Sequence, residues 1–224
     1  MELSKDVEVL IRYIIPGYTL LLPLSLVIYF GNPDIGDFAG FILLITGFSA
    51  GYFLQQAYML LFEGKGWPFE HGGYKSVDCG GRRRIIEEVS KEGNTLTKTQ
   101  AYNVWEYFIY SDKVSQALRS HISRSHAFIH SQRTVALACV AGVLTSLAGI
   151  PYLILLHQAS VGKITTLFAI SVSYLLIAVT LLIKARQIRE TLMRFEEFIV
   201  KKHWDDIQQI LTTAEYLHET GKKK

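Results

Sequence analysis

Four runs without a single charged side chain, at residues 13–30, 38–62, 135–156 and 164–183, constrain this chain more than anything else in it. A helix rises about 1.5 Å per residue, so roughly 20 apolar residues cross a ~30 Å hydrocarbon layer. In lipid, every backbone N–H and C=O has to be satisfied inside the protein, which favours helices for single long runs. The expected fold is therefore all-α. It is a polytopic membrane protein with four transmembrane helices in two hairpins and a cytoplasmic helical bundle. The divisions are 1–62, an N-terminal segment and first hairpin; 63–134, a cytoplasmic helical insert; 135–183, a second hairpin; and 184–224, a cytoplasmic C-terminal helix.

Charge placement gives the orientation. Of 23 basic residues, 11 fall in 63–134 and 9 in 184–224, while the turns at 31–37 and 157–163 hold none and one. Lys and Arg beside span ends mark the cytoplasmic side. This predicts a multi-pass protein of the cell membrane with both termini cytoplasmic. The first run is longer than a signal core and has no small-residue cleavage site after it, so it reads as a retained span. A net charge of +3 is too mild for a nucleic-acid binder, and nucleic acid is not an expected partner. Cys79 and Cys139 fall in different segments of a reducing compartment, and no disulfide is expected.

Local signals fill in the elements. Ser4 can cap a helix entering the first span, and Pro16 and Pro23 predict kinks in it. Gly31-Asn32-Pro33-Asp34 is a turn. Gly40, Gly47 and Gly51 (with Gly36 nearer the turn) have the four-residue spacing that lets helices approach in lipid, and Gln55 and Gln56 can hydrogen-bond between them. The glycine-rich segment 63–81 carries Trp67, suited to the headgroup layer. A short charged helix over 82–92 should stop at Gly93-Asn94. Thr97 should cap a helix to Tyr110 with Ala101, Val104, Trp105, Phe108 and Ile109 inward. After Lys113 no Gly or Pro intervenes before Gly142, so one helix should run from the insert into the third span. The fourth should continue from Ile164 towards Thr220 with a seam at Ile188, Leu192, Phe195 and Ile199, and a stutter near His203-Trp204.

The chemistry-bearing residues gather before the third span. Arg119, Ser123, His126, His130 and Arg133 share one helix face. One reading is a basic stripe that contacts anionic headgroups or a partner, with Trp67 and Trp204 as further lipid or partner contacts. In the other, Arg119 with His126 makes R-x6-H and Arg124 with His130 makes R-x5-H. This stripe alone resembles the active-site pattern of HEPN ribonucleases. The resemblance implies a membrane-anchored ribonuclease in which histidine moves protons and arginine steadies phosphate. His126 and His130 also have a zinc-compatible spacing but no third ligand, and neither metal nor cofactor is expected. Glu87-Glu88 and Asp205-Asp206 read as solvated faces. Cys79 is either a plain loop cysteine or one activated by Arg82. No ionisable residue lies deep in a span, which argues against proton relays and voltage sensing.

The expected function is that of a non-enzymatic homo-oligomer in the bilayer. It would act as a pore or membrane platform controlled by its cytoplasmic bundle, in the manner of a prokaryotic defence effector. The alternatives are the HEPN-like ribonuclease and a pure scaffold recruiting a cytoplasmic protein.

Overall fold

The computed structural model describes residues 13–58 and 79–214. Over those residues the chain is all-helical: α1 Ile15–Gly31, α2 Pro33–Tyr58, α3 Gly80–Lys91, α4 Lys98–Tyr110, α5 Gln116–Leu155, α6 Val161–Lys202 and α7 Trp204–Thr213. Ser4 and Trp67 lie outside the described residues.

Two of these helices, α5 with 40 residues and α6 with 42, are long and apolar enough to cross a membrane. The other two expected spans differ from a simple crossing. α1 has 17 residues, or about 25 Å. Pro16 sits at its start, where a missing N–H costs nothing, and the helix carries on through Pro23. α2 bends by 62° between Ile42 and Ile45, so it qualifies as a span only if the bent pair is counted as one. The Thr46 hydroxyl donates to the Ile42 carbonyl at 3.0 Å across the bend.

The described residues divide into two compact units. The apolar unit comprises 13–58 and 128–185, and the polar unit 79–127 and 186–214. Both α5 and α6 contribute to each.

In the apolar unit, small residues set how closely helices approach. A Cβ on Gly17 would meet the Gly47 carbonyl, and one on Gly51 the Tyr13 carbonyl, so α1 and α2 pack backbone to backbone. Gly47 itself faces the Tyr18 ring, whereas a Cβ on Gly40 meets nothing within 4 Å. On α5, Cys139, Gly142, Ser146, Gly149 and Leu153 are all buried, a seam in steps of three and four. Gly142 faces Tyr174 and Pro23, and Gly149 faces Val27. Val27, Leu153 and Leu167 form one small core, and Ala136, Cys139 and Ala178 another. Polar groups tie the helix ends: Thr134 donates to Gln55 Oε1 at 2.6 Å, and Lys163 donates to the Phe30 carbonyl at 2.8 Å, at the C-terminal end of α1 where a cation is favoured. Most of α6 is uncovered; Phe168, Leu175, Leu176 and Ile183 are exposed, a pattern suited to lipid and not to water.

In the polar unit the helix signals are met closely. Thr97 and Gln100 form a reciprocal capping box at the start of α4. The five residues expected on its inner face are all buried. Gly93 takes the left-handed conformation (φ 81°) and ends α3, its N–H donating to Ser90 O and that of Asn94 to Val89 O. Ile85, Val89, Leu192, Val200, Ile207 and Leu211 complete the core. The long C-terminal helix, expected to be continuous, breaks at His203. His203 leaves the helical region, its Nδ1 lies 3.2 Å from Asp206 Oδ2, and Asp205 and Asp206 occupy the first turn of α7. Acids there stabilise a new helix start.

Candidate functional site

Glu196 is a carboxylate with no solvent exposure in the middle of the polar unit. An isolated buried charge is costly, so it has to be matched by donors. Its Oε2 accepts from the Gly80 N–H at 2.8 Å and from the Cys79 thiol at 3.2 Å, and His126 Nε2 lies 3.0 Å from Oε1. With Glu196 ionised both oxygens can only accept, and the hydrogen is assigned to Nε2 on that basis. One side chain thus joins α6 to α5 and to the first turn of α3. The close approach depends on glycine: a Cβ on Gly80 would meet the Met193 backbone, and one on Gly81 the Trp105 ring. The amides of a helix N-terminus attract anions, and here Glu196 occupies the start of α3 from within the fold.

Cys79 is not the activated thiol that nearby arginines would allow. Burial, and then the Glu196 charge, push its pKa far above the ordinary thiol value, and the group stays neutral and unreactive. The consequence for stability has a definite sign. Below about pH 9, the ordinary thiol value, folded and unfolded chains both hold this proton and the contribution is intact. Above it the unfolded chain ionises while the folded chain does not, and stability falls by about 1.4 kcal/mol per pH unit from this group. Thermal melts between about pH 8 and 10 should therefore fall more steeply for the native chain than for Cys79→Ser, which keeps a donor but does not ionise there. Parallel slopes would contradict this assignment.

The sequence-predicted stripe is divided among separate partners. Arg119 donates to the carbonyls of Ile109 (3.0 Å), Ser111 (3.1 Å) and Val114 (3.4 Å), and stacks on Tyr110 with 5.3 Å to the ring centroid. It closes the end of α4. His126 faces Glu196, and Arg124 and Ser123 lie on the exposed side of α5. In the apolar unit, the His130 ring meets the edge of Tyr58 and Arg133 donates to the Tyr58 hydroxyl at 3.2 Å. Trp204 is half-buried at the start of α7. Of the paired acids, Asp205 is exposed as expected, while Glu87 pairs with Arg83 and Arg84, Glu88 with Arg84 and Lys91, and Asp206 with His203 and Lys113. His203 first, then Lys113, hold the Asp206 carboxyl below its usual range. Among the described residues no group of three or more His, Cys, Asp or Glu is placed to hold a metal ion.

Glu196, Gly80 and Gly81 are the residues that sequence reasoning missed. The signal was available in the spacing: Leu192, Glu196, Ile199 and His203 follow the same 4-3-4 steps as the seam read through Phe195. Compared with known proteins, the chain matches no family model, no curated protein and no solved structure.

Proposed function

We propose that the chain is a homo-oligomeric, multi-pass protein of the cell membrane, a pore or platform controlled by its polar helical unit. In this reading the four apolar runs cross as two hairpins, the polar unit and both termini are cytoplasmic, and a cytoplasmic protein is the partner. The observation that carries it is the composition of α5 and α6. Each contains a membrane-length apolar run and a segment of the polar unit in one unbroken helix. A change in the polar unit therefore has two continuous helices as its route to the membrane. The internal use of Arg119 and His126 supports a controlling role over an enzymatic one, since a nuclease needs such groups turned towards phosphate.

The test is subunit stoichiometry in nanodiscs together with dye leakage from liposomes made from the same preparation. Assembly above the monomer is expected, with leakage for a pore and without it for a platform. A strict monomer that leaks no dye would remove the proposal. RNA cleavage by that preparation, lost on Arg124→Ala, would establish the nuclease reading in its place.

A further inference from the structure

A cleft of about 970 Å³ opens in the polar unit between α4 and α7. That is at the upper end of the size of sites that hold small ligands or peptide side chains. Both walls are helix faces in the same register. α4 presents Asn103, Glu106, Tyr107 and Tyr110, and α7 presents Asp206, Gln209, Ile210 and Thr213. The connection after α4 adds Asp112 and Lys113 at one end.

Two features of this cleft favour a ligand, although Tyr110 already stacks on Arg119 and Glu106 accepts from the Tyr102 hydroxyl at 3.3 Å. Tyr107 and Tyr110 are 67% and 61% exposed, large aromatic side chains standing out of the polar unit. Three carboxylates, from Glu106, Asp112 and Asp206, line the space against a single ammonium, Lys113, which is already paired with Asp206 at 3.2 Å. Aromatic rings flanked by carboxylates favour a flat, weakly hydrated cation. The Tyr110 ring already takes the Arg119 guanidinium in this way.

We propose that the α4–α7 cleft binds an arginine-bearing segment of a cytoplasmic partner protein, the guanidinium lying against the tyrosines and within reach of Glu106 and Asp112. This names the partner chemistry for the platform reading and rests on it. The cleft's charge complements a basic peptide and opposes nucleic acid, anionic peptide and lipid phosphate.

The probe is a fluorescent peptide of alternating arginine and glycine, titrated against the full-length protein in phosphatidylcholine nanodiscs, with empty discs as blank. Saturable binding is expected, weakened about tenfold or more by Glu106→Gln with Asp112→Asn, and several-fold by Tyr107→Ala. Glu190→Gln, an exposed acid on α6 outside the cleft, should leave it unchanged. Absence of binding, equal weakening by Glu190→Gln, or equal affinity for spermine would each overturn the proposal; the last would assign the cleft to a small polycation. Stoichiometry measured on the same discs separates the two readings. Assembled protein without peptide binding removes only this inference, whereas a non-assembled chain removes the platform reading whatever the peptide does.

Discussion

Glu196→Ala should release the first turn of α3 more than any other single change in the polar unit. The substitution leaves the Gly80 N–H, the Cys79 thiol and His126 Nε2 without their shared acceptor, and opens a void where a fully buried side chain stood. Leaving the Gly80 N–H and the Cys79 thiol buried without an acceptor costs about 1–3 kcal/mol for each, and the void adds to that. At about 1.4 kcal/mol per tenfold, amide exchange over Gly80–Arg83 should accelerate by roughly two to three orders of magnitude. Glu196→Gln keeps one acceptor oxygen for Gly80 but turns an NH2 towards a donor, and should cost about 1–3 kcal/mol. His126→Ala should be the mildest. The imidazole is 31% exposed, so water can replace its hydrogen, and about 1 kcal/mol is expected. Hydrogen exchange by mass spectrometry reads this order directly. A Glu196→Ala protein exchanging no faster than His126→Ala would show that the carboxylate does not hold α3.

This group also shows what the sequence does and does not disclose. Helices with local signals are legible: Thr97 with Gln100, Gly93, and the charge-free runs of α5 and α6 each act through neighbours a few residues away. The Glu196 cluster joins residues 79, 126 and 196, and no local rule brings those together. The 4-3-4 spacing places Glu196 beside the seam, but a glutamate there reads as surface until the tertiary approach of the Gly80 amide makes its burial tolerable. The break at His203 falls where the seam was expected only to stutter; the two acids that follow are its local signal, but no glycine or proline marks it as a helix end. The bend in α2 was hidden for the same reason. No glycine or proline stands between Ile42 and Ile45, where it falls.

The second large effect is expected in the apolar unit, at Gly51. Its hypothetical Cβ meets the backbone carbonyl of Tyr13, and that of Gly17 meets the carbonyl of Gly47. No side chain can rotate to relieve either clash, so alanine has to push α1 and α2 apart. Helices that meet in lipid, as the proposed function has α1 and α2 do, hold together by close packing, with little hydrophobic drive to compensate for lost contact. Forcing extra volume into a packed interface costs about 1–3 kcal/mol, and a rigid backbone contact falls at the upper end. Gly51→Ala and Gly17→Ala should each destabilise the α1–α2 packing by about that amount. The double variant should cost less than their sum, since one separation relieves both clashes. Gly47→Ala should be intermediate, because its neighbour is the movable Tyr18 ring. Gly40→Ala meets open space and should be neutral or slightly stabilising through helix propensity. Unfolding in mixed micelles of graded SDS content gives the series. Equal midpoints for Gly51→Ala and Gly40→Ala would show that the close α1–α2 contact is absent, and the four-residue glycine spacing would then serve contacts between subunits.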